Sequence, residues 1–341
     1  MAQSLRRLLH HAVPAEFHDP IGLAGRVLRS GPDGRFAVWL AGLGILAAPI
    51  DILASGFEKR LYERSDPPRM PMLFVCGPPR SGTTVVALAI ARALDVAYVT
   101  NLTAMFPRAP ILASRAFGAR PDGKLLTLRS HYGRTAGMRG WNDGLHLWDR
   151  WLGKDRTATD ARLGPAEGTA MQRFFGAYER WSQRPLVMKN NGLIFYAAQV
   201  ARYLPTATFV CLRRDPLYLA QSLLVARSYI HGDDGIPYGR DDPARAHHDD
   251  PVDDVCEQVL YYERLTRECE EELGPGRFRV LSYEEFCANP AAFVDRWAAD
   301  PLAVSSNPDR IPATLEISSR QTVSDDLFAR LRLGLGLELH G

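Results

Sequence analysis

The chain predicts an α/β fold, a mainly parallel sheet flanked by helices, and three observations carry that reading. Short apolar runs at 72–76, 186–189, 207–212 and 278–282 have strand length and are rich in β-branched or aromatic residues. Helical patterns follow them at 83–94, 193–203, 217–229 and 290–299. Alternation of this kind closes as parallel strands covered on both faces. The 341 residues, 46% of them apolar, suit one large domain with insertions. A further strand is expected at 97–100, and helices at 170–182 and 252–273.

Residues 1–65 read as an N-terminal extension and 66–341 as the main domain. Phe36 to Ile50 is fifteen residues without a charge; after Asp51, Ile52 to Phe57 continues the run up to Glu58-Lys59-Arg60. A spanning helix wants about 20 apolar residues. This run, 36–57, reaches that length only by including Asp51, and it contains Pro49. It lies too far from Met1 for a signal peptide and lacks a small-residue cleavage pattern. A transmembrane anchor, an interfacial element and a helix packed on the main domain all remain open. Arg26, Arg29, Arg35, Lys59, Arg60, Arg64 and Trp39 suit a membrane surface. The main domain is expected in the cytoplasm, because paired cysteines are lacking.

The first strand runs into Gly77-Pro-Pro-Arg80-Ser81-Gly82-Thr83-Thr84 and then into an Ala-rich helix. Gly77 and Gly82 have the Gly-x-x-x-x-Gly spacing of a phosphate loop, and Thr83 stands where a nucleotide triphosphatase carries its Lys. Helix-start N–H groups lack intrahelical partners and sit at the positive end of the dipole. Ser81, Thr83 and Thr84 add hydroxyls, and Arg80 adds a fork of donors suited to phosphate or sulfate. The pattern points to a phosphorylated nucleotide and argues against ordinary ATP or GTP hydrolysis. At the end of the third strand stands Arg213-Arg214-Asp215-Pro216, with Pro216 suited to a helix start. Ser222 follows Arg214 by eight residues, so a strand-end Arg and a helical Ser can converge on one phosphate.

Together these segments resemble the sulfotransferase family, whose donor is 3′-phosphoadenosine 5′-phosphosulfate (PAPS). The family's first motif is matched by Pro79 to Thr84, and its second by Arg214 and Ser222. Tyr283-Glu-Glu-Phe286 with Asn289-Pro290, and Leu186-Val-Met-Lys189, are supporting matches. The resemblance covers about residues 72–300. It implies that Pro79, Arg80, Ser81, Gly82, Thr83 and Thr84 wrap the 5′-phosphosulfate, that Arg214 and Ser222 hold the 3′-phosphate, and that Tyr283 lies near the adenine. Lys189 would lie near the transferred sulfuryl group. The sulfuryl group then passes to a hydroxyl or amine of the acceptor by an in-line displacement driven by positioning and electrostatics, with no metal.

The general base departs from the family. Cytosolic members carry a His two residues after the Lys, where this chain has Lys189-Asn190-Asn191, and an amide does not accept a proton at neutral pH. Other members place a Glu shortly after the first helix; Tyr98 to Thr103 contains no acid. Asn191 is left to orient the acceptor, and the base falls to the insert, about 101–168. There Trp141, Leu145, Trp148 and Leu152 form one helical stripe, while Asp143, His146 and Asp149 fall off it, toward a cleft or toward water. His146 and Asp143 are the candidates.

From Arg108 to Arg139 seven Lys or Arg stand against one acid, Asp122. That stretch suits an acidic acceptor, the donor or an anionic membrane, or is a solvated insertion. Residues 230–251 read as a lid or surface loop; its His and Asp, including His247 and His248, lack metal-ligand spacing on a regular element. The net charge of +2 names no partner, and no nucleic acid is expected. Five Cys without a C-x-x-C argue against a disulfide scaffold. The acceptor is expected to be a small molecule, a lipid-linked compound or a carbohydrate. The rival readings are a degenerate phosphate-loop kinase or NTPase, and a PAPS- or nucleotide-binding protein without catalysis.

Overall fold

The structure, a computed structural model, describes residues 19–118, 120–128, 133–153, 162–244 and 249–337. Two N-terminal helices, α1 (Pro20–Arg29) and α2 (Pro32–Glu63), precede the first strand β1 (Met72–Cys76) and helix α3 (Thr83–Ala93). The insert holds α4 (Asn101–Met105), α5 (Pro110–Ala116) and α6 (Leu145–Leu152). Then come α7 (Pro165–Ser182), β2 (Leu186–Lys189), α8 (Ala197–Tyr203), β3 (Ala207–Arg213) and α9 (Pro216–His231). The chain continues with α10 (Pro251–Leu273), β4 (Phe278–Ser282), α11 (Tyr283–Ala288), α12 (Pro290–Ala299) and α13 (Asp325–Gly334).

The four strands form one parallel sheet in the order β2-β1-β3-β4. Alternate side chains of β1 feed opposite layers. Phe74 and Cys76 face a core with α6, α7 and α8, where Phe74 meets Trp148 edge-on at 5.6 Å. Leu73 and Val75 face α3, α11 and α12. A third cluster binds α9, α10 and α13. The register sets Val75 beside Lys189, Cys76 beside Cys211 and Arg213 beside Ser282. Lys189, Gly77, Arg214 and Tyr283 therefore share the carboxyl edge of the sheet, where ligands of such folds bind. All five cysteines are free and buried.

Several expected elements differ. The stretch 97–100 is not a strand: Ala97 makes one parallel bridge to Leu186 and Thr100 one antiparallel bridge to Trp141. Thr100 then caps α4 by accepting from the Thr103 N–H, which ends extended pairing. The helix expected at 193–203 is a 3₁₀ turn over Asn191–Phe195 followed by α8. The stripe beginning at Trp141 is split, because α6 starts only at Leu145. Trp141 instead stacks on Tyr98 at 5.5 Å on the other side of the sheet from Trp148.

The apolar run packs one face on the main domain and leaves the other face exposed. Asp51, 1% exposed, accepts from the N–H groups of Arg108 (3.0 Å) and Ala109 (2.9 Å). Glu58, fully buried, accepts from Ile111 (2.9 Å), Leu112 (2.8 Å) and the Tyr62 hydroxyl (2.5 Å). The acid that counted against a spanning helix is thus a docking group. Glu58 supplies the side-chain cap that the N-cap residue of α5, Ala109, lacks. Burial raises both carboxyl pKa values above their ordinary range, against the pull of these hydrogen bonds.

Candidate active site

β1 releases the chain at Gly77, whose φ of 128° is open to glycine. A Cβ there would lie 2.8 Å from the Leu212 carbonyl oxygen, so the loop leaves the sheet pressed on the end of β3. Ser81 is fully buried and donates its hydroxyl hydrogen bond to the Pro78 carbonyl at 2.7 Å. Arg80 holds φ 70°, a left-handed conformation costing a non-glycine residue about 1–2 kcal/mol. Gly82, at φ 94°, begins α3; a Cβ on it would lie 2.3 Å from Cδ2 of Tyr283. The Tyr283 ring therefore lies directly against the loop. Thr83 and Thr84 occupy the first turn of α3.

On the β3 side, Asp215 caps α9 by accepting from Leu217 N–H at 2.9 Å, which fixes the turn that carries Arg214. Arg214, 7% exposed, donates from Nη1 to the Arg80 carbonyl at 2.7 Å and from Nη2 to the Ser318 carbonyl. Its guanidinium carbon lies 5.4 Å from the Tyr283 ring centroid. Ser222 Oγ accepts from Arg80 Nε at 3.1 Å. Arg214 and Ser222, singled out by spacing alone, thus both meet Arg80. A strap that no motif announces closes this corner. Leu315 N–H donates to the Cys287 carbonyl (2.8 Å), Gln221 Nε2 to the Arg320 carbonyl (3.0 Å), and Thr322 N–H to Gln221 Oε1 (2.8 Å).

On the β2 side, Asn190 N–H continues the sheet by donating to the Val75 carbonyl at 3.0 Å. Asn191 Oδ1 accepts from Thr83 Oγ1 at 2.9 Å, joining the end of β2 to the loop. Lys189 Nζ donates to Asp143 Oδ2 at 2.6 Å, and both residues are buried. Asp143 Oδ1 accepts from Trp141 Nε1 at 3.1 Å. A Cβ on Gly133 would fall 1.9 Å from Asp143 Oδ2, so only glycine leaves room for this carboxylate. Burial raises the Asp143 pKa above the ordinary 3.8; the attraction of Lys189 opposes it, as more weakly does that of Arg134. Burial in turn lowers the Arg134 pKa.

The segment that carries Asp143 is held by amides. Asn101 Nδ2 donates to the carbonyls of Thr135 and Gly137, each at 2.7 Å, and Asn142 Nδ2 donates to Asn101 Oδ1 at 2.9 Å. Asn101, in a glycosylation-type sequon, is fully buried. His146 Nδ1 lies 3.3 Å from Asp149 Oδ2 within α6. Within the expected lid, a Cβ on Gly239 (φ 101°) would lie 2.8 Å from Pro79 Cγ, so this segment rests on the loop. Arg240 is anchored behind it, donating to the Tyr196 hydroxyl at 2.9 Å and lying 4.2 Å from the Phe195 ring centroid. His247 and His248 lie outside the described residues.

The fold and this edge define a parallel α/β protein with a glycine turn after its first strand, set between Arg214 just past the end of β3 and Lys189 at the end of β2. The chain belongs to the sulfotransferase family, whose model matches residues 71–297, and it is a sulfotransferase. The sulfotransferase STF9 from Mycobacterium avium superposes with a TM-score of 0.52 at 14% identity, covering 98% of this chain and 88% of that one. That likeness concerns the fold. The sulfotransferase STF1 from Mycobacterium tuberculosis H37Rv gives 0.49 at 11% identity, over 99% and 96% of the two chains. No curated protein sequence matches the chain.

Proposed function

We propose that this sulfotransferase moves a sulfuryl group from PAPS to a hydroxyl of a small-molecule, lipid-linked or carbohydrate acceptor. The observation that carries the reading is the pair of groups flanking one glycine loop: Arg214 and Ser222, both bonded to the loop's Arg80, on one side, and Lys189 and Asp143 on the other. The residues fit such a donor. The loop N–H groups at the start of α3 suit the 5′-phosphosulfate. Arg214 and Ser222 bring donors suited to a 3′-phosphate, and Tyr283 brings an aromatic face beside the loop for the adenine. The donor supplies the sulfuryl group, with adenosine 3′,5′-bisphosphate as its leaving group.

In this scheme Asp143 takes the acceptor's hydroxyl proton as the new O–S bond forms. The S–O bond to the leaving phosphate breaks at the same time. Lys189, released from the carboxylate as it is protonated, donates to the departing oxygen, and Arg80 adds charge there. Asn191, held by Thr83, orients the acceptor. Asp143 is preferred to His146 because it already touches the strand-end lysine.

Titration calorimetry with adenosine 3′,5′-bisphosphate, AMP and ATP tests the donor assignment on the wild type, Arg214→Ala and Ser222→Ala. The bisphosphate is expected to bind best, and both variants to lose at least about tenfold in affinity. Preference for ATP, or indifference to both substitutions, would overturn the donor assignment.

A further inference from the structure

Helix α2 docks on the domain by one side only. At about 100° per residue, Ala37, Gly44, Asp51, Glu58 and Tyr62 fall on one face. Ala37, Asp51 and Glu58 are buried there. The opposite face carries Trp39 (53% exposed), Leu46 (75%), Ile50 (62%), Leu53 (76%) and Phe57 (63%). These five side chains lie within about 40° of a single line and extend over about 27 Å. Arg35 stands on the same line before Trp39, and Arg60 follows Phe57, its guanidinium 5.6 Å from that ring; both are exposed. Arg64, also exposed, follows at the end of the helix. No acid lies on the line.

We propose that this outer face is an in-plane docking surface for an anionic lipid bilayer, with α2 lying along the headgroup boundary. The helix is long and apolar enough to cross a membrane, but its inner face is committed to the domain from Ala37 to Tyr62. A spanning helix needs apolar surroundings along its whole length, and the carboxylates of Asp51 and Glu58 would have to leave their N–H partners to provide them. Lying in the plane, the helix buries the five apolar side chains and keeps the arginines at the headgroups. A second copy of the chain is a poorer occupant. Parallel pairing of two such faces sets Arg35 against Arg35, and antiparallel pairing sets Arg35 against Arg60 or Arg64. Both place cation on cation with no acid in the stripe.

The experiment is vesicle sedimentation of the full chain. The vesicles are phosphatidylglycerol and phosphatidylcholine in about equal parts, or phosphatidylcholine alone. The wild type is expected to pellet with the anionic vesicles, more weakly with the neutral ones, and less at high salt. The double variant Leu46→Asn with Leu53→Asn is expected to lose at least about tenfold in partitioning. Because both side chains are exposed, its melting temperature should not fall. The charge variant Arg35→Glu with Arg60→Glu should lose the preference for anionic vesicles. Leu333→Asn, at a residue 79% exposed on α13 and off the stripe, should bind as the wild type does. Wild type that stays in the supernatant, or a Leu46/Leu53 variant that binds equally, would overturn the proposal. So would a wild-type dimer that ignores vesicles and becomes monomeric in that variant, which would make the face a contact between copies.

Discussion

Lys189 Nζ and Asp143 Oδ2 are 2.6 Å apart across 46 residues of sequence, and both side chains are removed from solvent. Burial holds the Asp143 pKa above its ordinary value. The ionised form is the proton acceptor, so kcat/KM should rise with pH through that raised pKa and level off above it. In Asp143→Asn this acid limb should vanish and kcat should fall about 10²–10⁴-fold. A pH–rate profile of both proteins checks this; a limb that persists in the variant would assign it to another group. The variant also loses a buried charge partner, so its rate must be read well below its melting temperature.

Arg80 separates strain from function. Arg80→Gly relieves a left-handed conformation worth about 1–2 kcal/mol but adds about 0.5–1 kcal/mol of backbone entropy cost. Stability should therefore change by no more than about 1.5 kcal/mol, while the KM for the donor rises at least about tenfold. Paired melting curves and initial rates decide it.

Gly82→Ala should be destabilising. The new Cβ would meet Cδ2 of Tyr283 at 2.3 Å in a backbone conformation of φ 94°. A loss of about 2–4 kcal/mol is expected from strain and overpacking together. Adding Tyr283→Ala should recover only the overpacking part, which denaturant titration of the single and double variants measures.

Glu58 tests the docking of α2. Its pKa is raised by burial above the ordinary 4.5, so the folded state holds its proton more tightly than the unfolded state does. Its stabilising effect is full below pH 4.5 and is lost as pH rises through the folded pKa. The stability of wild type relative to Glu58→Gln should therefore decline across that window and stay flat above it. Urea titrations at several pH values would show it; a difference that grows with pH would contradict the burial account.

The sheet was legible because its strands are buried runs of β-branched and aromatic residues, and β1, β2 and β4 begin and end where the pattern does. The short helices α4 and α5 were not, since five and seven residues carry too little periodicity. Spacing put Arg214 and Ser222 in one corner, and both do meet Arg80 there, because the strand-to-helix turn fixes both. It could not bury Asp143, whose partner is distant in sequence and whose space depends on Gly133. The strap from Leu315 to Thr322 was invisible because several of its bonds use backbone groups, which any residue supplies.

That strap has a consequence for synthesis. Its bonds reach Arg214, Gln221 and Cys287, all laid down earlier in the chain. A growing polypeptide has its fourth strand by Ser282, yet this corner stays open until the last stretch is made. A premature stop shortly before Leu315 would leave every strand in place and still remove the Ser318 carbonyl that holds one arm of Arg214.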